Sequence, residues 1–154
     1  MVKIPDSIKE FIETQGIFVV GTVGANLQMF LPVFSSKLKK TKFIGLIFFE
    51  HKSYKNIQVN PSVTISVFNK DELEGYQFRG LVNYITDEPI KSEIKDSIIE
   101  KTLKINPSPK IKSLSEKTAN VIQFEPKVCY SLNPEKYSDM SIGSDVDSTS
   151  LFGN

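Results

Sequence analysis

The chain has 154 residues, the size of one ordinary domain with a single hydrophobic core. Lys and Arg number 19 against 18 Asp and Glu, so the formal net charge is +1 and no overall field exists to hold nucleic acid or an anionic membrane. With 40% hydrophobic and 24% charged residues, the composition predicts a globular chain that folds unaided and excludes a disordered or fibrous one.

Cysteine content and the N-terminal sequence indicate the compartment. Cys129 is the single cysteine, so it has no internal disulfide partner and no second cysteine with which to build a zinc site. Residues 1–10 carry charges where a secretory signal needs an apolar stretch, and the longest apolar run, 44–49, is far shorter than the roughly 20 residues that span a bilayer. We therefore expect a cytoplasmic protein without a membrane partner.

The first half of the chain predicts one helix followed by strands. Ile8, Phe11 and Ile12 recur at helical spacing, which predicts a helix over 5–15 that lies against a sheet. Short β-branched and aromatic runs then predict three strands in hairpin order. These strands cover 17–20, 27–34 and 43–49.

A short helical segment is predicted over 50–61, capped by Ser53 and ended by Pro61. Two alternating segments follow, 62–68 and 75–85, and their period of two predicts two further strands. In the second, Tyr76, Phe78, Val82 and Tyr84 share one side, and Gln77, Arg79, Leu81, Asn83 and Ile85 share the other.

The remaining elements complete a barrel. A helix over 89–104 is predicted from the apolar stripe of Ile90, Ile94, Ile98 and Leu103. The last strand, 119–132, should be broken or bulged at Pro126, which cannot donate to a central ladder. Six strands with peripheral helices indicate an antiparallel β-barrel, and pairing two barrels covers exposed edges, so we expect a homodimer.

Residues 50–53 stand out because they join the third strand to the short helix. Free backbone N–H groups, the ammonium of Lys52 and the hydroxyl of Ser53 would meet at one point, which is suitable for an anion. Ordinary helix capping produces the same pattern. Spacing alone therefore leaves both interpretations open.

Three runs resemble, in order and spacing, the FMN-binding split barrel of the pyridoxamine 5′-phosphate oxidase-like family. They are FFEHKSYKNI at 48–57, NPSVTI at 60–65 and GYQFRG at 75–80. The resemblance implies a mainly β fold, a six-stranded antiparallel split β-barrel with peripheral helices, in a domain of residues 1–132 that binds FMN. It leaves unexplained the Ser/Asp-rich tail, 133–154, which we expect to be surface-bound or mobile.

The resemblance also implies which residues bind FMN: Leu31, Pro32, Val33, Ile47, Phe48, Lys52, Ser53 and Gln77. Lys52 and Ser53 match the lysine and hydroxyl that hold the flavin phosphate in the family. The second strand would line the isoalloxazine with its backbone, and the third would supply side chains beside the ring. Gln77 matches a glutamine that reaches the flavin, usually from the second subunit.

Two departures narrow the activity that the resemblance implies. Gln28 stands where many members have a proline, and the second-strand arginine and further basic residues that hold the substrate phosphate in true pyridoxamine phosphate oxidases are missing. Vitamin B6 oxidation is therefore not expected, whereas flavin binding is. Some relatives hold haem or a deazaflavin on the same barrel.

The sequence contains no Ser-His-Asp set, no motif of paired carboxylates and no metal-ligand spacing, so we assign no catalytic residue and no metal site. Any chemistry would be the cofactor's. We predict an FMN-dependent oxidoreductase or electron carrier, with the cofactor at a homodimer interface and a small-molecule electron donor or acceptor. The alternative is a non-catalytic module that holds haem, deazaflavin or flavin for storage or sensing.

Other polar residues have competing interpretations. His51 is a candidate cofactor-binding residue, as a base, a haem ligand or a phosphate partner, or a strand-end residue without a chemical role. The lysines at 37, 39, 40 and 42 suit a solvated loop better than single-stranded nucleic acid, because no aromatic residue is interleaved. Cys129 is expected in the core, and Asp145 and Asp147 in solvent.

Overall fold

The computed structural model describes residues 4–15, 17–23, 28–39, 42–48, 52–133 and 141–144. Its helices are α1 (Asp6–Gln15), α2 (Lys52–Val59), α3 (Ile90–Ile105) and α4 (Pro109–Leu114). Its strands are β1 (Ile17–Val23), β2 (Gln28–Lys39), β3 (Lys42–Phe48), β4 (Ser62–Asn69), β5 (Glu74–Ile85), β6 (Ala119–Ser131) and β7 (Ser141–Ser144).

All described strands belong to one antiparallel sheet in the order β3-β2-β1-β4-β5-β6-β7. A further pairing of β3 with β6, from Phe43 opposite Phe124 to Phe48 opposite Ala119, curls this sheet back on itself. The sheet is therefore closed along part of its length, with the helices outside. The predicted mainly β split barrel with peripheral helices is confirmed.

The six predicted strands correspond to β1 through β6, and two described elements were not predicted. β7 lies within the segment that we assigned to the tail, and its four residues attach to β6 through backbone pairing, so they need no apolar alternation. α4 begins after Ser108, whose side chain accepts a hydrogen bond from the N–H of Lys110, with Pro109 at its start. This capping signal is visible in the sequence.

The barrel interior is built on an aromatic cluster around Phe43. Its ring centre lies 6.0 Å from that of Phe18, 4.9 Å from Phe78 and 5.6 Å from Phe124. Phe78 and Gln77 lie on opposite sides of β5, as predicted, and the structure directs Phe78 inward and Gln77 outward. The apolar stripe of α1 packs against the same core, which confirms the predicted helix against the sheet.

A second core lies between α3 and the other side of β3 and β6. Ile98 and Ile99 are buried there with Leu46 and Val121. The predicted stripe of α3 is correct for Ile98 and wrong for Ile90, which is 52% exposed. The buried residues of α3 all belong to its second half, so its first turn does not contribute to the core.

The predicted irregularity at Pro126 is confirmed. Arg79 pairs with Val128 and Gly80 pairs with Pro126, so two steps along β6 oppose one step along β5, and Lys127 is the extra residue. A bulge of this kind bends a strand without ending it. In the part of the chain that the structure describes, no helix has the length and apolar character needed to cross a membrane.

Candidate functional site

The candidate anion site lies where α2 begins, shortly after β3 ends. Lys52 is the first residue of α2 and is exposed, whereas Ser53 is the second and is buried. The predicted capping role of Ser53 is therefore wrong, because the helix begins one residue before it. The two side chains nevertheless share the first turn, as the anion-site interpretation requires.

α2 is fixed to the barrel by contacts that sequence analysis missed. Asn56 donates a hydrogen bond from Nδ2 to Oγ1 of Thr22 on β1, over 3.2 Å, and both residues are buried. Tyr84 on β5 donates from its hydroxyl to the carbonyl of Tyr54 over 3.4 Å, and the two ring centres are 5.2 Å apart. The opening turn of α2 is thus positioned by two strands.

Charge in the first turn of α2 favours an anion. The turn contains no acidic residue, and Lys52 forms no ion pair with any carboxylate that the structure describes. The hydroxyl of Ser53 likewise makes no hydrogen bond to another described residue. The helix N-terminus, the ammonium and the hydroxyl together therefore fit the phosphate of a nucleotide cofactor.

The predicted ring-lining residues of the second strand lie in β2, where Leu31, Pro32 and Val33 pair with Val20, Val19 and Phe18 of β1. Val19 also pairs with Ser66 of β4, and Ser66 pairs with Gln77 of β5. Pro32 and Gln77 therefore belong to one row of paired residues across the sheet. Directly opposed residues lie on the same side of a sheet, so Pro32 and Gln77 share a face, separated by three strand spacings or roughly 14 Å.

Gln77 lies on the outer face of the sheet, where its Nε2 donates a hydrogen bond to Oγ of Ser66 over 3.3 Å. Thr22, which anchors α2, alternates with Gly21 along β1 and belongs to the inward-facing set with Val20. Within one chain, Gln77 and Thr22, the residue that anchors α2, therefore face opposite sides of the sheet.

Two predicted cofactor contacts are side chains of the core. Ile47 is buried in the barrel interior, and Phe48 is buried in the second core beside α3. Their contact with a flavin ring stays a prediction. His51, Asp145 and Asp147 lie outside the described residues.

No helix among the described elements packs on the outer face of β1, β4 and β5. Val19 and Val23 are 43% and 44% exposed, and Phe68 at the end of β4 is also exposed. Arg79 on β5 extends over the ring of Tyr130 on β6, with its Cζ 5.6 Å from the ring centre. Apolar and cationic groups thus share one open sheet surface.

Burial suppresses ionisation of two groups. Desolvation raises the pKa of the Cys129 thiol to about 12, and this cysteine is a buried core residue, as predicted. Desolvation, and secondarily the charge of Tyr54, raise the pKa of Tyr84 to about 12. Both groups are neutral at pH 7. Among the residues that the structure describes, no cluster of three or more His, Cys, Asp or Glu is arranged to hold a metal ion.

Three solved structures show the same fold. HupZ of Group A Streptococcus has a TM-score of 0.67 and 18% identity over 86% of this chain and 96% of its own. HutZ, a haem storage protein of Vibrio cholerae, has a TM-score of 0.59 and 17% identity over 81% of this chain and 91% of its own. An FAD-binding protein of Mesorhizobium loti has a TM-score of 0.63 and 10% identity over 85% of this chain and 93% of its own.

No sequence among the curated proteins matches the chain. The family model described as pyridoxamine 5′-phosphate oxidase, in contrast, matches residues 4–133, which include β1 through β6 and every residue predicted to bind the cofactor. This span is most of the chain. The protein belongs to the pyridoxamine 5′-phosphate oxidase family.

Proposed function

We propose that the protein is a cytoplasmic, homodimeric FMN-binding flavoprotein that acts as a flavin-dependent oxidoreductase or electron carrier. A small-molecule donor or acceptor would exchange electrons with the flavin. The observation that carries the proposal is the opening turn of α2, where Lys52 and Ser53 offer a cation and a hydroxyl to an anion within a barrel of this family.

The phosphate of FMN carries up to two negative charges, and the first turn of α2 complements them. A helix N-terminus and an exposed lysine each contribute on the order of 0.3–1 kcal/mol to anion binding, and more where water is excluded. The contacts of Asn56 and Tyr84 hold this turn in place before the ligand arrives. Such preorganisation lowers the entropy cost of binding.

Residues of the barrel would orient the rest of the cofactor. The backbone of Leu31, Pro32 and Val33 would lie beside the isoalloxazine, and Gln77 of a second copy would reach the ring from the other side. Bound FMN supplies hydride or electron transfer, whereas the protein supplies position and electrostatics. The side chains of Ile47 and Phe48 would support this region from the cores that they occupy.

The outer sheet face supports the homodimer. Val19, Val23 and Phe68 expose apolar surface there, and members of this family are typically dimeric. Association of two copies through this face would bury these side chains. It would also bring Gln77 of one copy towards the flavin of the other.

The alternative is a non-catalytic module that holds haem, deazaflavin or flavin for storage or sensing. It is favoured by the fold shared with HutZ, which is a haem storage protein, at a TM-score of 0.59. In this case the protein would bind its cofactor without turnover. A module that holds haem would differ from the flavoprotein in its absorption spectrum, and one that holds flavin would differ in not being reduced by NADH or NADPH.

The absorption spectrum of the purified protein tests both proposals. Near-ultraviolet and blue flavin bands that bleach with NADH or NADPH support the flavoprotein, and mass spectrometry of the molecule released on denaturation identifies it as FMN. A colourless preparation should bind added FMN with a stoichiometry of one per chain. A Soret band, or failure to bind FMN, would instead support the binding module.

A further inference from the structure

A cleft of about 250 Å³ lies between the start of α3 and the connection from α4 to β6. Of the described residues that line it, only Ala119 is apolar, and the others carry charged or hydroxyl side chains. No residue of β1, β4 or β5 lines it, and neither does any residue predicted to contact the flavin. The cleft is therefore separate from the proposed dimer contact and from the proposed cofactor site.

Lys95, which is partly buried on α3, is a fixed cation at this cleft. Its Nζ donates hydrogen bonds to the carbonyl oxygens of Ser115 and Lys117, over 2.9 and 2.6 Å. Both acceptors are neutral, and Lys95 forms no ion pair with any carboxylate that the structure describes. An ammonium has three donors, so the positive charge is held in place with one donor left for a ligand.

Glu88 is a fixed anion at the same cleft. Its Oε2 accepts hydrogen bonds from the hydroxyl and the backbone N–H of Ser92, over 2.7 and 3.3 Å. Its Oε1 accepts no hydrogen bond from a described residue, and no described cation forms an ion pair with this carboxylate. A carboxylate with a free oxygen and an ammonium with a free donor thus line one cleft without neutralising each other.

The other charges of the lining indicate what kind of ligand fits. Lys91, Lys117 and Glu116 also line the cleft, and none of them forms an ion pair within the described part of the chain. With Lys95 and Glu88, the lining has three ammonium groups and two carboxylates. A simple anion would be repelled by the carboxylates, whereas a ligand that carries both signs, with negative charge in excess, finds a partner for each charge.

We propose that this cleft binds a small amino dicarboxylate, an amino acid of the size of glutamate. The ammonium of the ligand would bind the free oxygen of Glu88, and one carboxylate would bind the free donor of Lys95. The second carboxylate would interact with Lys91 and Lys117. The cleft is smaller than the roughly 300–1,000 Å³ of pockets that hold drug-sized ligands, which suits a molecule of this size.

The cleft lies on the α3 side of the sheet. Ala119 pairs with Phe48 at the end of β3, and both residues are buried in the second core beside α3. Thr22, the residue that anchors α2, faces the barrel interior instead. FMN and the amino acid should therefore bind without competing, and binding of the amino acid does not depend on the proposed function.

NMR titration of the full chain with L-glutamate tests the proposal. We expect saturable shifts of backbone amides in 88–95 and 115–119. Glutarate lacks the ammonium, γ-aminobutyrate lacks one carboxylate, and glutamine lacks the charge of the side chain. Each should bind about tenfold more weakly than glutamate, the effect of losing one charge-assisted hydrogen bond. Equal affinity for glutarate and glutamate, shifts confined to other residues, or no saturable binding would overturn the proposal.

Glu88→Gln tests the contact with the ammonium. Glutamine keeps an oxygen that can accept from Ser92 and removes the negative charge. Glutamate should bind about tenfold more weakly, whereas glutarate should bind at least as tightly as it does to the wild type. Glu93→Gln makes the same change at another acidic residue in the first turn of α3 that does not line the cleft, and it is the matched control. If both variants weaken glutamate binding equally, Glu88 is not the binding residue.

Lys95→Gln tests the contact with the carboxylate. It should weaken binding of glutamate and of glutarate alike, and Lys95→Arg, which keeps the charge, should restore most of the affinity. Lys91→Gln should weaken both ligands as well, and it disrupts no described side-chain contact, so it tests the proposal even if Lys95→Gln fails to fold. Lys112→Gln, at an exposed lysine on α4, is the matched control. Affinities equal to this control would contradict the proposal.

Two measurements separate this proposal from the proposed function. Lys52→Ala should bind glutamate like the wild type, and saturating FMN should leave glutamate affinity unchanged. Glutamate binding by a protein that does not bind FMN would reject the flavoprotein and leave the amino acid site standing. Competition between FMN and glutamate would place the amino acid in the flavin site and overturn the separate cleft.

Discussion

Asn56 and Thr22 are 34 positions apart in sequence, and a buried hydrogen bond of 3.2 Å from Nδ2 to Oγ1 joins them. This bond fixes the middle of α2 to β1, so the position of the candidate anion site depends on a strand that does not contribute a charged residue to it. The amide is in the same short helix as Lys52, one turn further along.

Removal of this bond should destabilise the protein and displace α2. Asn56→Ala should lower the free energy of unfolding by about 1–3 kcal/mol, the usual effect of disrupting a buried polar pair. Urea unfolding of Asn56→Ala, Thr22→Val and the double variant gives the coupling energy between the two side chains. We expect a coupling energy of about 1 kcal/mol, and strictly additive effects would contradict a direct interaction.

Lys52 should contribute to FMN affinity through charge and not through folding. Lys52→Ala should weaken FMN binding about 2- to 10-fold, as expected for one cation at a partly exposed phosphate, with unchanged thermal stability. Fluorescence quenching of FMN gives the affinity. Lys55→Ala, an exposed lysine in the same helix, is the matched control and should bind like the wild type. An unaltered affinity in Lys52→Ala would remove this lysine from the phosphate site.

A charge on the outer face of β1 should disrupt the homodimer. Val19 is 43% exposed in one chain, and burying an unpaired aspartate at that position in an interface costs several kcal/mol. Val19→Asp should therefore sediment as a monomer at micromolar concentration, in analytical ultracentrifugation, where the wild type sediments as a dimer. Val59→Asp introduces the same charge at a residue that is 86% exposed at the end of α2, and it should remain dimeric. If both variants stay dimeric, the interface lies elsewhere.

Gly80 should not tolerate a side chain. A Cβ at this position would lie 2.1 Å from the carbonyl oxygen of Glu125 and 2.8 Å from the ring of Phe124, both part of the strand that bulges at Pro126. Gly80→Ala should lower the free energy of unfolding by about 1–3 kcal/mol, as overpacking does. Asn83→Ala changes an exposed residue of the same strand and should be nearly neutral. Chemical denaturation distinguishes the two variants.

Tyr84 should make stability fall at alkaline pH. Burial, assisted by Tyr54, raises its pKa from 10.0 to about 12 in the folded state. Above pH 10 the unfolded chain releases this proton while the folded chain keeps it, so the stabilising contribution present below pH 10 is lost as the pH rises towards 12. Tyr84→Phe should reduce this loss in denaturation series between pH 9 and pH 12. Identical slopes for both proteins would show that Tyr84 titrates normally in the folded state.

Periodicity in the sequence was sufficient to predict features that depend on residues close together in the chain. Strict alternation in β4 and β5 predicted which side chains share a side of the sheet, and the missing N–H of Pro126 predicted the irregularity in β6. The order of strands, together with the family resemblance, was enough for the barrel. These features depend on residues close in sequence, or on rules that hold for every sheet.

Features that depend on distant partners were not predicted. The Asn56–Thr22 bond and the stacking of Arg79 on Tyr130 join residues far apart in sequence, and no local pattern encodes such pairs. Ile90 has the helical spacing of the buried stripe and is nevertheless exposed, because spacing does not show which turns of a helix contact the sheet. Ile47 and Phe48 were assigned to the ring on resemblance, whereas their alternation along β3 directs them into two different cores.

The far end of β6 pairs with β7, which joins residues 128–130 to residues 141–144. β3 pairs only with residues 119–124 of β6. The row of backbone N–H and C=O groups of β6 beyond that stretch is paired on this edge by β7 instead. A chain cut before residue 141 would present that row to solvent as an unpaired edge, the kind of template on which strands of other molecules add and aggregation begins. By pairing with this edge, the four residues of β7 protect the protein from aggregation through strand addition.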